Sequence, residues 1–325
     1  MSIVYLLHQE IDKRQWDALI SQAPEGQVYA LSWYLDVVAP NWDAVVELDG
    51  NDRYEVVMPV PWRKKFGIPY VQQPLFCQQL GVYSITGNIQ AFCYKRLLQE
   101  VEKRFRHVSL YQFNTDNNVA AELRLEQTYT LYLNLNKPYQ QLYQQYTRDR
   151  KINLKRAVKA GLELQEDDDL EPLITFFKAE AADRIYGGVS EKAYDLLREL
   201  YRELKARGLA KLIYTYDQEG RKNSGCLFIL WRNRIVYIFN AAAAHGRKQN
   251  GRTLMLDHMI KQFAGQNFIL DFESPDDSEP DIVHFYRSFG AVTIPVPVLR
   301  YNHLPKSIKL VRELRMRVVR KLKGG

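Results

Sequence analysis

An α+β protein of two successive units, each a mixed and mostly antiparallel sheet flanked by helices, is the architecture the sequence predicts. Three observations carry the prediction. The chain has 325 residues, and domains average roughly 150. Residues 211–240 read as three strands broken by turn signals at Gln218-Glu219-Gly220 and Arg232-Asn233, an antiparallel meander. The order of elements in the first half also returns, almost unchanged, in the second. A composition of 46% hydrophobic and 26% charged residues is that of a globular protein, and it excludes disordered, collagen-like and disulfide-scaffold classes.

The first half opens with a branched, apolar strand at 3–7. A helix follows at 12–20 with Trp16 and Leu19 on one face, then a short helix from Ser32 to Val38 stopped by Pro40. Strands at 44–48 and 54–61 are joined by the hairpin signal Asp49-Gly50-Asn51-Asp52. The Pro- and Gln-rich stretch 68–79 reads as irregular. A long helix at 89–104 and strands at 108–113 and 128–135 complete the half. In the second half, 139–160 reads as one helix with a basic second part, 162–165 as a strand, and 170–182 and 191–207 as helices. The meander follows at 211–216, 226–231 and 235–240. A helix at 252–263, a strand at 268–272, a helix at 282–289 closed by Gly290, and a strand at 292–299 end the unit. Residues 1–136 are expected as one domain and 137–305 as a second, with 306–325 as a separate tail helix.

The net charge of +7 is concentrated in that tail. Residues 306–325 hold eight basic residues and one acid, Glu313, leaving 37 of each sign in residues 1–305. At helical spacing Ile308, Val311, Leu314, Val318 and Leu322 share one side and Lys309, Arg312, Arg320 and Lys323 the other. This is a basic amphipathic helix, suited to an anionic membrane surface, to a second subunit or to its own domain. DNA binding is not expected. Cys77, Cys93 and Cys226 are odd in number, widely spaced and without a CxxC. They read as buried thiols of a reducing compartment, not as a disulfide or zinc framework. The N-terminus lacks the basic and apolar regions of a signal peptide, and no run approaches the roughly 20 apolar residues of a membrane span. The expectation is a cytoplasmic protein, with the inner membrane surface as the alternative.

The order β-α-α-β-β-β-α-β-α-β of the second half is similar to the GNAT acyltransferase fold. The segment Phe285-Tyr286-Arg287-Ser288-Phe289-Gly290-Ala291 resembles the family's F-Y-x-x-F-G-F motif. Residues 268–274 (FILDFES), the basic helix 146–161 (YTRDRKINLKRAVKAG), and the Gln72-Gln73-Pro74 and Gln78-Gln79-Leu80-Gly81 runs resemble the Fem-like, BioF2-like group. Members of that group carry two GNAT domains in tandem. The likeness covers most of the chain. It implies an N-acyltransferase whose first domain is structural or acceptor-binding and whose second is catalytic.

The resemblance also points to site residues. GNAT enzymes hold the coenzyme A pyrophosphate at a helix N-terminus through R/Q-x-x-G-x-G/A, where free N–H groups and the helix dipole favour an anion. Lys248-x-x-Gly251-x-Thr253 occupies that place, with Lys for Arg/Gln and Thr for the last Gly. Thr253 is equally readable as a plain helix cap. Arg252, and Phe239 and Asn240 at the end of the preceding strand, complete the expected donor site. Tyr286 is the expected proton donor to the leaving thiolate, or else a tyrosine packed between Phe285 and Phe289. Asp271 and Glu273, two apart on a strand and so on one face, are expected to take the proton of the attacking amine, or else to pair with a neighbour such as Arg287. Arg148, Lys155 and Arg156 of the basic helix are candidates to grip a phosphate-bearing substrate. The acidic run that follows offers internal charge pairing instead. The acid-rich stretch 275–281 lacks the Gly and spacing of a calcium loop, and no metal is expected. The combined reading is transfer of an acyl group, from acyl-CoA first, to an amine of a small molecule or precursor, with no tightly bound cofactor. The alternatives are an aminoacyl-tRNA-dependent Fem-type transferase acting on a cell-wall precursor, and a non-catalytic binding protein.

Overall fold

The computed structural model describes residues 2–87, 89–117, 123, 125–182, 185, 188–273 and 280–305. The expected tail helix 306–325, and with it the membrane or second-subunit contact, lies outside the described residues, as does most of the acid-rich stretch 275–281. The chain divides into two compact units, residues 1–127 together with the chain from Val296 on, and Thr128–Pro295. Among the described residues no helix is long and apolar enough to cross a membrane.

The first unit contains β1 (Ser2–Leu6), α1 (Lys13–Gln22), α2 (Ser32–Val38), β2 (Trp42–Leu48), β3 (Tyr54–Lys65), β4 (Ile68–Gln72), β5 (Tyr83–Ser84), α3 (Ala91–Arg104) and β6 (His107–Gln112). Its strands run in the order β1-β2-β3-β4-β6, and β5 pairs with β3. The last strand of the chain, β13 (Val292–Asn302), returns to pair antiparallel with β6. Asp12 caps α1 by accepting from the N–H groups of Arg14 and Gln15. Trp16, Leu19 and Ile20 are the buried face of that helix. The stretch expected to be irregular begins as strand β4, because Phe66 and Gly67, with φ of 54° and 80°, make a tight two-residue turn that folds Ile68–Gln72 back on β3. Pro69 and the glutamines dilute the strand signal there. The glutamine runs are structural. The Gln73 amide bonds the Cys77 carbonyl at 2.8 Å and the Gln112 N–H at 3.0 Å, and Gln79 accepts from the Thr115 N–H at 3.1 Å.

The second unit contains β7 (Glu126–Asn134), α4 (Tyr139–Gln145), α5 (Arg148–Lys159), β8 (Glu163–Glu166), α6 (Glu171–Glu180), α7 (Glu191–Ala206), β9 (Ala210–Tyr216), β10 (Lys222–Trp231), β11 (Arg234–Ala242), α8 (Ala244–Gln249), α9 (Gly251–Phe263), β12 (Ile269–Asp271) and α10 (Pro280–Arg287). Its strand order is β7-β12-β11-β10-β9-β8. The meander β9–β10–β11 is antiparallel as expected. The one helix expected over 139–160 is two. Thr147 interrupts it, its hydroxyl accepting from the Arg150 N–H as the cap of α5. A second departure is α8, a short helix where an open loop is expected. Leu133, Leu142, Phe228, Met255, Met259, Leu270, Phe272 and Phe289 belong to one buried cluster between the sheet and α4, α5, α9 and α10.

Candidate active site

The site lies where the pairing of two strands ends. β11 and β12 run parallel and pair only at Arg234, Ile235 and Val236, yet β11 continues to Ala242 while β12 ends at Asp271. Just beyond the last pair Tyr237 follows on β11 and Phe272 follows the end of β12. On the other edge of β11 the register with β10 slips between Leu227 and Phe228, so Ile238 is an extra, bulged residue.

Aromatic rings and two arginines gather beyond this last pair. Tyr286 of α10 stacks on Phe272 at 4.6 Å and meets Tyr237 edge-on at 5.9 Å. Burial pushes the Tyr286 phenol up to about 12, with Arg252 opposing and Cys226 and Glu273 adding. At neutral pH it therefore carries its proton. The Cys226 thiol donates to the Tyr237 hydroxyl at 3.4 Å and is itself raised to about 12 by burial. It is no nucleophile. The guanidinium of Arg252 lies 3.9 Å from the centroid of Phe285, and its Nη1 donates to Asn240 Oδ1 at 3.2 Å.

Asp271 and Glu273 are separated in their surroundings. Asp271 is fully buried at the end of β12, and its carboxylate meets Arg234 Nη1 at 3.2 Å and the Thr130 hydroxyl at 3.4 Å. Burial raises its pKa and Arg234 opposes the rise. Glu273 lies past the strand end with φ of 44°, in the left-handed region, so the alternation that would set both acids on one face stops between them. Its N–H donates to Asp271 Oδ1 at 3.0 Å, which fixes this turn. Glu273 is partly exposed. Strain of this kind in a non-glycine residue is held in place by its surroundings and gathers at functional sites.

The expected donor loop is wound into α8, and Asn250, with φ of 61°, passes the chain directly into α9. Lys248 is exposed on α8. Gly251 is needed for packing: a Cβ there would lie 2.0 Å from Ser224 Oγ and 2.6 Å from Thr215 Oγ1. Gly251 thus packs its Cα face against the meander. Thr253 is buried and accepts from Arg150 Nη1 at 2.5 Å. Phe239 packs on Phe177 at 4.8 Å.

On the basic helix, Arg148, Lys155 and Arg156 are exposed. Lys155 lines an open cleft of about 620 Å³ together with Lys159, Lys261, His258, Tyr143 and Asp257, and Arg148 and Arg156 do not. The buried cation is Arg150, which sequence reasoning counts among the charges without singling it out. Its spacing was the signal: 150, 154 and 157 form the buried stripe of α5, and a basic residue on an apolar stripe asks for an explanation. The structure thus brings together Tyr286, Glu273, Arg252, Arg150, Thr253 and Asn240, and leaves Lys248, Arg148, Lys155 and Arg156 at the surface.

Comparison with known proteins follows this geometry. Residues 144–276 match the family model of the acetyltransferase (GNAT) domain. Among solved structures, FemX superposes with a TM-score of 0.66 at 14% identity, covering 93% of this chain and 98% of FemX. A tandem GNAT protein from the clavulanic acid biosynthesis pathway gives 0.54 at 12% identity, covering 94% and 100%. The L-PGS structure from Bacillus licheniformis gives 0.53 at 10% identity, covering 95% and 97%. No curated protein matches the chain by sequence.

Proposed function

We propose that this tandem GNAT-fold acyltransferase, with its acetyltransferase domain at residues 144–276, moves an acyl group from an activated donor to an amine at the place where the pairing of β11 and β12 ends. The amine nitrogen attacks the acyl carbon, the new N–C bond forms, and the C–S or C–O bond to the leaving group breaks. Glu273 takes the proton the amine loses. Tyr286 gives its proton to the departing thiolate or alkoxide. Backbone N–H groups of β11 beside the Ile238 bulge receive the developing oxyanion. Asp271 acts as a positioning residue, holding the Glu273 turn from a buried pair with Arg234. The observation that carries this reading is the Tyr286 ring lodged against Tyr237 of β11 and Phe272 at the end of β12, just beyond the last pair of the two strands.

Acyl-coenzyme A is the donor this fold brings with it, and its acceptor would be the amine of a small molecule or precursor. Lys248, Gly251 and Thr253 do not by themselves fit a pyrophosphate cradle, since Gly251 packs inward and Thr253 is engaged by Arg150. That observation supports the second reading, an aminoacyl ester of tRNA as donor and a cell-wall or lipid-linked precursor as acceptor. The deciding experiment is a transfer assay with acetyl-CoA, longer acyl-CoAs and aminoacyl-tRNA, paired with melting curves in the presence of each. A donor that binds raises the melting temperature by mass action. Turnover with any coenzyme A thioester establishes the first reading, and turnover with aminoacyl-tRNA alone establishes the second. A lack of turnover and of stabilisation by every donor would leave a binding protein on this fold.

A further inference from the structure

Two arginines of the second unit meet one phenylalanine ring. The guanidinium carbons of Arg150 and Arg252 lie 4.1 and 3.9 Å from the centroid of Phe285, so they cannot be farther apart than the sum of those distances, about 8 Å. Arg150 also lies 4.8 Å from the centroid of Phe289. Its polar partners are neutral: Nε donates to Ser288 Oγ at 2.8 Å and Nη1 to Thr253 Oγ1 at 2.5 Å. Arg252 has the Asn240 amide oxygen. Among the described residues neither guanidinium is ion-paired, although surface arginines such as Arg198 and Arg221 have carboxylate partners. Asp149, next to Arg150 in sequence and exposed, adds only a weak field.

A buried cation without a counter-charge is costly, because desolvation of the charge is not returned. A second cation within about 8 Å, the half-buried Arg252, adds mutual repulsion. Burial and the neighbouring Arg252 both pull the Arg150 pKa down, to about 10. An anion at this place would remove both costs. The arginine fork matches a carboxylate or a phosphate in bidentate fashion. The position also limits which part of a substrate the anion belongs to. Arg252 acts on the phenols of Tyr237 and Tyr286, so the anion would sit close to the reacting atoms.

We propose that the Arg150–Arg252 pair receives an anionic group carried by the acceptor a few atoms from its reacting amine, so that the acceptor is an amino-acid-like amine and not a simple alkylamine. The inference rests on the acyl-transfer reading for its chemistry, but its first test does not use activity. Melting curves are recorded for the full chain with 50 mM β-alanine, 2-aminoethylphosphonate or ethylamine at matched ionic strength, pH 7.5. β-Alanine or the phosphonate is expected to raise the melting temperature by at least 2 °C over ethylamine, and the acid that does so tells carboxylate from phosphate. In Arg252→Gln that increment is expected to fall to half or less, while in Lys192→Gln, an exposed lysine of α7, it stays at the wild-type value. Arg150→Lys keeps the charge in case Arg150→Gln fails to fold, and it is expected to lose the increment with the fork. Equal response to all three compounds, or an increment that survives in Arg252→Gln, overturns the proposal. An increment present without turnover on any donor would instead overturn the transfer reading and leave the anion site standing.

Discussion

In the proposed mechanism Tyr286 is the residue on which the chemistry turns. Replacing its phenol by the ring alone, Tyr286→Phe, keeps the stack on Phe272 and removes the proton donor. The expected result is a fall in kcat of about 100-fold with KM and the melting temperature nearly unchanged, measured by steady-state kinetics and calorimetry. Its pH behaviour has a definite sign. The folded-state pKa of about 12 lies above the ordinary 10.0. The stabilisation of the protonated form is therefore complete below pH 10 and lost as pH rises through 12. The alkaline limb of the kcat profile should accordingly have its midpoint above 10. A midpoint at 9–10 that disappears in Tyr286→Phe would contradict the assignment. The two acids should separate as cleanly. Glu273→Gln is expected to abolish most turnover without lowering stability. Asp271→Asn is expected to cost about 3 kcal/mol of stability, because it leaves Arg234 beside a neutral partner, read as a shift of the denaturation midpoint. Equal stability losses in the two variants would remove the distinction. At this scale Tyr286, Glu273 and Arg252 were legible from short motifs. Arg150 was not, because charge counting treats every cation of a basic helix alike, and only burial marks out one of the six in Arg148–Lys159.

At the scale of elements, the transition from β11 to α9 departs most from expectation. A Lys-x-x-Gly-x-Thr string reads as a loop able to receive a phosphate, yet the chain forms α8 there and turns Gly251 inward. Gly251→Ala is expected to destabilise the protein by about 2 kcal/mol, since its Cβ would overlap Ser224 and Thr215, both buried in the meander. A thermal melt checks this, and a variant as stable as wild type would return Gly251 to the role of an open cradle. Gly246 is under the same constraint, its Cβ position lying 2.0 Å from the Asn223 carbonyl oxygen. The glycines of this segment are thus explained by helix-on-strand contact. Sequence spacing cannot tell a glycine that approaches a ligand from one that approaches its own sheet, because both need the same missing side chain. The break between α4 and α5 was hidden for a related reason. Thr147 is a capping residue, but the apolar period runs through it on both sides.

At the scale of the whole molecule, the last strand ties the end of the chain to its beginning. β13 leaves the second unit at Pro295 and pairs with β6 from Val298 to Asn302, with Val296 and Val298 buried. A fragment of residues 1–127 therefore lacks a strand of its own sheet. It is expected to show little cooperative unfolding alone and to gain ordered structure when a peptide of residues 292–305 is added, followed by circular dichroism. A fragment that unfolds cooperatively without the peptide would show that β13 is dispensable to the first unit.

The alternation of apolar and polar residues, the turn signals and the repeated element order determined the α+β class and the meander. Short motifs on α10 and β12 pointed to acyl transfer and to Tyr286. The class and the meander are local features that periodicity reads directly, whereas acyl transfer and Tyr286 rest on the resemblance to the GNAT family. What the sequence left open is set by packing between elements distant in the chain. The end of β12 beside the longer β11, the buried ion pair of Asp271 with Arg234, the inward packing of Gly251 and the meeting of Arg150 with Arg252 on Phe285 each join residues far apart in sequence. Such contacts are chosen by burial and charge compensation in three dimensions, which a linear pattern does not encode.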